Sequence, residues 1–325
     1  MADNKMAGRT KYAVGVDLGG TKIKMGLVSP SGKITGKYSV NTQADKGPLK
    51  IIENIKIGIR TLLAKSKVHI EGIGIGSPGT VNSEKGTVEN PPNFPGWDKV
   101  NLGRAISMEF EKDVFLDNDA NVAAIGELIF GNGINLNSFI MVTLGTGVGG
   151  GIIINRKLYH GDFGAAGEIG HITINFNGPK CNCGSYGCIE TYTGNKYLTE
   201  RVRKELKKHR DSLLLKLINN DYSLITPRKI KEAADKGDKY AHSVIIDLGT
   251  KLGAALATVS NILDISTYII GGGVGGFGKP LLDSIKNSLT SRVIKPIKPR
   301  VKILPAKLKN DAGIKGASAL VFHGY

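Results

Sequence analysis

The chain has 325 residues, of which 41% are hydrophobic, and this is enough to build one large domain or two. The composition excludes a fibrous or disordered protein. Lys and Arg total 44 against 28 Asp and Glu, so the formal net charge is +16. Such a charge favours polyanions as partners. We interpret it as a solvated surface instead, because the basic residues of stretches 201–210 and 295–309 lack interleaved aromatic residues.

Membrane and targeting signals do not stand out in the sequence. No apolar run approaches the roughly 20 residues of a membrane-spanning helix. Residues 1–11 lack the apolar core of a secretory signal. We therefore expect a cytoplasmic protein that does not enter a membrane.

The chain alternates predicted strands with predicted helices. Residues 12–16 predict a buried strand that ends at a glycine turn, and residues 25–40 predict a β-hairpin. Ile51, Ile55, Ile59 and Leu63 recur at helical spacing, and a further strand follows at 70–79. The second half is mainly helical, with helices predicted at 195–210, 238–263 and 280–289 and one buried strand at 266–273. This order predicts an α/β fold.

The first strand and its turn recur further along the chain at a constant offset of 126 residues. Two copies of one strand-turn-strand unit predict a duplicated fold whose halves face each other across a cleft. The alternative is coincidence among glycine-rich turns. We place the domain boundary near Asp119 and Ala120, giving domains 1–119, completed by a helix at 310–325, and 120–309. The matching pairs are Val16 and Val142, Asp17 and Thr143, Leu18 and Leu144, and Gly19 and Gly145.

Glycine motifs in this chain carry little information alone. G-x-G-x-x-G begins at Gly74, Gly145 and Gly271, in a chain with 44 glycines. A dinucleotide fingerprint requires a helix after the glycines, whereas a predicted strand follows residue 151. A Walker loop does not fit either, because Thr21 precedes Lys22.

Glycine turns between two strands can nevertheless bind phosphate, because consecutive backbone N–H groups form an anion site. Two such turns predict a nucleotide polyphosphate as the ligand, and Asp17 is placed to hold Mg²⁺. The alternative is a pair of ordinary hairpin turns. The predicted phosphate-binding residues are Gly19, Gly20, Thr21 and Lys22 in the first turn and Gly145, Thr146 and Gly147 in the second.

Residues 115–127 run from a predicted strand into a predicted helix, with Asn118 and Asp119 at the junction. Aspartate at such a position often caps the helix. It can instead accept a hydroxyl proton during phosphoryl transfer. Both interpretations of Asp119 stay open at this point.

All three cysteines lie within residues 181–188. An odd number of thiols argues against disulfides, and Cys181 and Cys183 are too close for the usual C-x-x-C redox motif. His171 precedes them and brings the number of ligands to the four that structural zinc prefers. The sequence therefore predicts a structural zinc site of His171, Cys181, Cys183 and Cys188.

Two acids flank this cluster. Glu168 lies three residues before His171, and Glu190 lies two residues after Cys188. Zinc takes one imidazole nitrogen and leaves the other for a hydrogen bond. Two carboxylates and an imidazole edge suit a polyhydroxy ligand. A supporting or surface role for the acids is the alternative.

Together these motifs resemble the ROK family (repressor, open reading frame, kinase), in particular its bacterial glucokinase branch. The resemblance spans nearly the whole chain through DLGGTK, GSPG, PNFPGW, DNDAN, LGTGVGGG and IIGGGVGG, which come in the family's order. Most specific is E-x-G-H followed by C-x-C-G-x-x-G-C-x-E, which runs from Glu168 to Glu190.

The resemblance implies a two-domain α/β fold like that of actin, hexokinase and Hsp70, with a sugar and ATP meeting in the cleft between the domains. It implies ATP, Mg²⁺ and a structural Zn²⁺, with Asp119 as the general base for the 6-hydroxyl of glucose. The implied sugar-binding residues are Gly79, Asn93, Asn118, Asp119, Glu168, His171 and Glu190. The implied nucleotide-binding residues are Asp17, Gly19, Gly20, Thr21, Lys22, Thr143, Gly145, Thr146, Gly147, Gly271, Gly272 and Gly273.

Other members of the family keep alternatives open. Kinases for fructose, mannose, N-acetylmannosamine or N-acetylglucosamine share the same acid, histidine and zinc pattern, but GEIGH and PNFPGW favour glucose. Polyphosphate remains an alternative donor. A sugar-sensing regulator is less expected, because the family's repressors carry a DNA-binding domain ahead of the kinase-like part. We expect a hexose as partner, no specific nucleic acid, and a homodimer or homotetramer.

Overall fold

The structure, a computed structural model, describes residues 11–66 and 68–324. Residues 1–10, in which no secretory signal is predicted, lie outside the described residues. The described residues form thirteen strands. They are β1 (Tyr12–Leu18), β2 (Lys22–Val28), β3 (Ile34–Asn41), β4 (Ile70–Ser77), β5 (Thr80–Asn82), β6 (Thr87–Glu89), β7 (Lys99–Asn101), β8 (Asp113–Asn118), β9 (Phe139–Leu144), β10 (Val148–Ile154), β11 (Lys157–Tyr159), β12 (Thr267–Gly271) and β13 (Lys302–Pro305).

Eleven α-helices accompany these strands in the described part of the chain. They are α1 (Pro48–Ser66), α2 (Leu102–Phe110), α3 (Asp119–Phe130), α4 (Glu190–Thr193), α5 (Asn195–Glu205), α6 (Leu213–Leu217), α7 (Pro227–Asp235), α8 (Lys239–Leu263), α9 (Gly272–Gly275), α10 (Lys279–Arg292) and α11 (Ala312–His323). The predicted amphipathic helix is α1, and its residues Ile51, Ile55 and Ile59 are fully buried. The predicted hairpin is confirmed as β2 and β3.

Two five-stranded sheets have the same internal order. The first runs β3-β2-β1-β4-β8 and the second β11-β10-β9-β12-β13. In each sheet the leading hairpin is antiparallel, and the two strands that follow pair in parallel. Leu18 pairs with Ile23, and its counterpart Leu144 pairs with Val148. The predicted duplication of the strand-turn-strand unit is therefore confirmed, with the second turn one residue shorter.

The chain divides into two compact units. The first takes its described residues from Met1–Asn135, Lys157–Ala166 and Asn310–Tyr325. Helix α3, which begins at Asp119, belongs to this unit, and α11 packs there on α3, β1 and β4. The second unit comprises Leu136–Arg156 and Gly167–Lys309, and its largest helix pair is α8 with α10. Each unit has its own hydrophobic core.

Two strand glycines bring α11 close to the first sheet. A Cβ added at Gly15 of β1 would lie 2.0 Å from the carbonyl oxygen of Ile314, and one at Gly74 of β4 would lie 1.8 Å from that of Ala317. No real side chain tolerates such distances. The glycines are therefore required by packing at these positions, and not by a ligand.

Helix α8 has 25 residues. By its length and mean composition it could cross a membrane, as no other helix of the described chain could. Asp247 and Lys251 interrupt its apolar sequence, so its longest uninterrupted apolar run stays well below the length of a membrane span. However, 61% of its most apolar window is buried inside the protein. Gly249 and Gly253 let it approach α10, where their added Cβ atoms would meet Ser284 and Ser288. Packing within the second unit thus accounts for the buried part of its apolar surface.

Candidate functional site

The first glycine turn joins β1 to β2. The N–H of Gly19 donates to the carbonyl oxygen of Lys22 at 3.2 Å. A Cβ added at Gly20 would meet no atom within 4 Å, and Gly20, Thr21 and Lys22 are all exposed. The turn therefore presents its backbone on an open face, which an anion-binding turn requires.

Asp17 lies near the end of β1, beside this turn. Its Oδ2 is 3.2 Å from Nζ of Lys24, and its side chain is 22% exposed. On another side the carboxyl group lies against the backbone of Gly313 in the first turn of α11, where an added Cβ would stand 2.6 Å from Cγ of Asp17. A partly exposed carboxylate at this position fits the oxygen ligands that Mg²⁺ takes.

The second glycine turn joins β9 to β10. The N–H of Gly145 donates to the carbonyl oxygen of Gly147 at 2.9 Å, and the carbonyl of Gly145 accepts from the N–H of Asn195 at 3.0 Å. Glu190 packs directly on the turn, because its Oε2 accepts from the N–H of Val148 at 2.9 Å. A Cβ added at Gly147 would lie 2.3 Å from the same oxygen. A predicted sugar-binding acid and a predicted phosphate turn are therefore in contact.

The segment Gly271–Gly273 follows β12. This strand pairs in parallel with β9, with Gly271 opposite Thr143. Gly272 has φ 82°, and a Cβ added there would lie 2.3 Å from the carbonyl oxygen of Leu144. Only glycine combines this conformation with so close an approach. The segment that the resemblance assigns to adenosine thus lies directly beside the strand that leads into the second turn.

Asn118 and Asp119 lie where β8 meets α3. Asn118 caps the helix, because its Oδ1 accepts from the N–H of Ala120 at 2.9 Å. Its Nδ2 donates to the carbonyl oxygen of Gly79 at 3.1 Å. Asp119 is the first residue of α3 and is exposed. Since Asn118 supplies the cap, the interpretation of Asp119 as the cap is wrong.

The acid before this junction, Asp117, is almost fully buried, with 3% exposure. Its Oδ1 accepts from the N–H of Asn118 at 2.7 Å and from Nδ2 of Asn121 at 2.8 Å. Its Oδ2 lies 2.7 Å from Nε2 of His160. The hydrogen bond to Asp117 raises the pKa of His160. Asp117 belongs to the DNDAN motif, in which only Asn118 and Asp119 receive a predicted role from the sequence, and His160 belongs to none of the quoted motifs.

The remaining predicted sugar contacts of the first unit are Gly79 and Asn93. A Cβ added at Gly79 would lie 2.7 Å from Cα of Pro91, so the turn after β4 packs on the segment that carries Asn93. Asn93 is exposed and has φ 68°. Below it the rings of Phe94 and Trp97 are buried, with centroids 5.6 Å apart. Nε1 of Trp97 donates to the carbonyl oxygen of Val88 at 3.1 Å, which holds this segment against β6.

The four predicted zinc ligands come together in the second unit. Their ligand atoms all lie within 4.8 Å of one another. Nδ1 of His171 is 3.8 Å from Sγ of Cys181, and Sγ of Cys183 is 3.7 Å from Sγ of Cys188. A tetrahedral zinc ion with Zn–S bonds of about 2.3 Å separates two sulfur atoms by about 3.8 Å. The donor set therefore fits structural zinc.

The loop that carries the cysteines is held by its own backbone. The N–H of Cys181 donates to the carbonyl oxygen of Ser185 at 2.8 Å. Gly187 has φ 65°, and a Cβ added there would lie 1.6 Å from the carbonyl oxygen of Asn175. Burial raises the pKa of Cys188 to about 12 and also raises that of Cys181. These two thiols resist ionisation by themselves, and a zinc ion, which binds thiolates, would supply the compensating charge.

The imidazole of His171 has two different neighbours. Nδ1 faces Cys181, whereas Nε2 is 3.7 Å from Oε2 of Glu168. The side chain of Glu168 is 57% exposed. One edge of the ring therefore faces the cysteine cluster and the other faces an accessible carboxylate.

These features define a class of protein. Two α/β units with sheets of the same order, each with a glycine turn between its first two strands, form the ATPase fold of actin and hexokinase. The ROK family model matches residues 13–323, and the chain belongs to the ROK family.

Individual members of the family are similar along most of their length. The chain is 36% identical over 315 residues to a glucokinase of Halalkalibacterium halodurans, covering 96% of this chain and 95% of that protein. It is 32% identical over 311 residues to a xylose repressor of Caldicellulosiruptor bescii, covering 95% of this chain and 77% of that protein. Among solved structures, a ROK family glucokinase from Streptomyces griseus in complex with glucose and AMPPNP has a TM-score of 0.85 at 35% identity, covering 95% of this chain and 98% of that chain.

Proposed function

We propose that the protein is an ATP-dependent glucokinase that phosphorylates the 6-hydroxyl of glucose. The observation that carries this proposal is the likeness to the Streptomyces griseus glucokinase, whose structure contains glucose and AMPPNP. The identity of 36% with the Halalkalibacterium halodurans glucokinase supports the same activity. The substrate class then assigns a role to each predicted site residue.

Asp119 is proposed as the general base. As the 6-hydroxyl oxygen forms its bond to the γ-phosphorus and ADP leaves, Asp119 accepts the hydroxyl proton. Support comes from its exposed position as the first residue of α3. Asn118 binds a neighbouring sugar hydroxyl in this proposal, and its contacts to Ala120 and Gly79 hold the amide in place.

Glu168, His171 and Glu190 are proposed to bind further sugar hydroxyls, with Gly79 and Asn93 as additional contacts. Glu190 uses Oε2 for the N–H of Val148, and its second carboxylate oxygen is then available for a hydroxyl. When bound, zinc supplies a fixed anchor for the loop. His171 then needs to accept or donate only at Nε2, the nitrogen that faces Glu168.

The glycine segments are proposed to bind the nucleotide. In this proposal the two turns contribute backbone N–H groups to the phosphates, and Gly271, Gly272 and Gly273 border the adenosine. Mg²⁺, when bound, neutralises charge on the phosphates, and Asp17 would hold it. Most of the rate enhancement in such a site comes from positioning and electrostatic stabilisation. The nucleotide residues proposed are Asp17, Gly19, Gly20, Thr21, Lys22, Thr143, Gly145, Thr146, Gly147, Gly271, Gly272 and Gly273.

A coupled assay of ADP release tests the proposal. Purified protein is supplied with ATP and, in separate reactions, glucose, mannose, fructose, N-acetylglucosamine or N-acetylmannosamine. We expect the highest kcat/KM for glucose. A higher value for another hexose would reassign the substrate, and turnover of none would overturn the kinase proposal. Polyphosphate as a donor releases no ADP, so it is tested by measuring glucose 6-phosphate formation with polyphosphate in place of ATP.

A second candidate is a sugar-responsive regulator, which the 32% identity to the xylose repressor raises. A regulator would bind a sugar without transferring a phosphoryl group to it. Calorimetry with xylose and with glucose in the absence of ATP, read beside the assay, separates the two. Xylose binding without any hexose turnover would favour the regulator. Light scattering of the same preparation tests the expected homodimer or homotetramer.

A further inference from the structure

Thr42 holds the first glycine turn from one side. It directly follows β3 and is fully buried. Its hydroxyl Oγ1 donates to the carbonyl oxygen of Gly19 at 2.6 Å, and its backbone N–H donates to the carbonyl oxygen of Thr21 at 2.9 Å. One residue therefore holds two carbonyl groups of a turn that has four residues.

Thr42 is itself anchored to the core of the first unit. Its carbonyl oxygen accepts from Nδ2 of Asn54 at 3.2 Å, and the same amide group donates to the carbonyl oxygen of Asn41 at 3.2 Å. Asn54 lies on α1 and is only 3% exposed. The hydrogen bonds to the turn thus start from a fixed support, since a buried and doubly bonded segment moves little.

The direction of these bonds determines where the N–H groups of the turn point. In a trans peptide the C=O and N–H groups point in opposite directions. Because the carbonyl of Gly19 points at Thr42, the N–H of Gly20 points away from it. The carbonyl of Thr21 likewise points at the backbone N–H of Thr42, so the N–H of Lys22 points away from Thr42. The added Cβ at Gly20 meets no atom within 4 Å, so space for a ligand exists at the turn.

The second turn has the same arrangement with a different donor. Gly145, the counterpart of Gly19, has its carbonyl held by the backbone N–H of Asn195 at 3.0 Å. Both copies of the duplicated unit therefore fix the carbonyl of the first glycine. In the first unit the donor is a side-chain hydroxyl, so a substitution can remove it.

We propose that Thr42 is a positioning residue that directs backbone N–H groups of the first turn toward the phosphates of the nucleotide. It acts through Gly19 and Thr21 and does not itself contact the nucleotide. The inference rests on the proposed function in taking ATP as the ligand.

Two variants separate the hydroxyl from the volume of the side chain. Thr42→Val keeps the shape and removes the donor, whereas Thr42→Ser keeps the donor. For Thr42→Val we expect the Kd for AMPPNP and the KM for ATP to rise about 5- to 30-fold, while the KM for glucose changes by less than about twofold. Thr42→Ser should stay within about threefold of the wild type for all three constants. Calorimetry measures the Kd, and the coupled assay measures both KM values.

Several outcomes would overturn the inference. The inference fails if Thr42→Val binds AMPPNP as tightly as the wild type. It also fails if Thr42→Val loses affinity for glucose and for AMPPNP equally and has a lower Tm, because the residue then only stabilises the fold. If Thr42→Val cannot be purified, Thr42→Ala carries the same expectation. A wild type that phosphorylates no hexose defeats the proposed function alone. In that case the role of Thr42 is still supported if the wild type binds AMPPNP and Thr42→Val binds it more weakly. If the wild type does not bind AMPPNP at all, the inference is overturned.

Discussion

Asp117 and His160 are joined at 2.7 Å between Oδ2 of the acid and Nε2 of the imidazole. The other oxygen of Asp117 accepts from the N–H of Asn118 at 2.7 Å. The carbonyl oxygen of His160 accepts from the N–H of Ala166 at 3.0 Å. A single buried carboxylate thereby connects the N-terminus of α3, which carries the proposed base, to the loop at 160–166.

The first prediction concerns the pH dependence of this pair. The hydrogen bond to Asp117 raises the pKa of His160 above its ordinary value of 6.5. Because the folded-state pKa exceeds the unfolded one, the contribution of the pair to stability is fully present below about pH 6.5 and is lost as the pH rises through the raised pKa. His160→Gln should therefore lower Tm by about 1–3 °C more near pH 6 than near pH 9, a modest value because the ring is partly exposed.

Differential scanning fluorimetry across this pH range measures the difference in Tm between the wild type and His160→Gln. His69→Gln, at an exposed position outside the described helices, is measured in parallel as the control for replacing a histidine by glutamine. If the difference in Tm between the wild type and His160→Gln is constant with pH, or is larger near pH 9, the charge of the pair does not stabilise the fold.

The second prediction separates two kinds of glycine. Gly15→Ala places a Cβ 2.0 Å from the backbone of Ile314, so it should destabilise the protein by about 1–3 kcal/mol or more. Gly20→Ala meets no atom within 4 Å and should leave Tm unchanged. It should nevertheless raise the KM for ATP about tenfold or more, because the methyl group occupies space that the phosphates need. A Gly20→Ala protein with wild-type KM for ATP would remove the first turn from the nucleotide site.

The third prediction tests the order of dependence in the cysteine loop. Cys183→Ala removes one of four ligands, so bound zinc should be lost, and the KM for glucose should rise at least about tenfold as His171 loses its anchor. Elemental analysis measures the metal, and the coupled assay measures the KM. Ser185→Ala is the control in the same loop, because only the backbone of Ser185 contacts the cysteines. A zinc-free Cys183→Ala protein with unchanged KM for glucose would contradict the proposed role of the metal.

The fourth prediction uses the double contact of Glu190. Glu190→Gln retains an oxygen acceptor for the N–H of Val148 but loses the charge, so the KM for glucose should rise about 10- to 100-fold with little change in AMPPNP affinity. Glu190→Ala removes both contacts and should weaken AMPPNP binding as well. If Glu190→Gln affected AMPPNP more than glucose, the residue would be a support of the turn and not a sugar ligand.

Local patterns in the sequence predict much of this fold. Helix α1 and the hairpin of β2 and β3 follow from apolar spacing and turn residues within a few positions, and the structure confirms both. The metal cluster lies within one continuous segment, from His171 to Cys188, so ligand number and type were enough to propose it. The sheet order repeats because the strand-turn-strand pattern repeats.

The supporting contacts could not be predicted in the same way. Thr42 lies 23 residues from Gly19, His160 lies 43 from Asp117, and Glu190 lies 42 from Val148. Such contacts depend on strand register and on helix packing, which one sequence does not encode locally. The exact start of α3 could not be predicted for a different reason. Asn118 and Asp119 are adjacent, and both residue types cap helices well.

The fifth prediction addresses the central claim, that Asp119 is the general base of an ATP-dependent glucokinase. Asp119→Asn keeps the size of the side chain and removes the carboxylate that accepts the proton. The most direct measurement is kcat of this variant with saturating glucose and ATP, compared with the wild type in the same coupled assay. We expect kcat to fall about 10²- to 10⁴-fold with only a modest change in the KM for glucose. An Asp119→Asn enzyme with wild-type kcat would contradict the account.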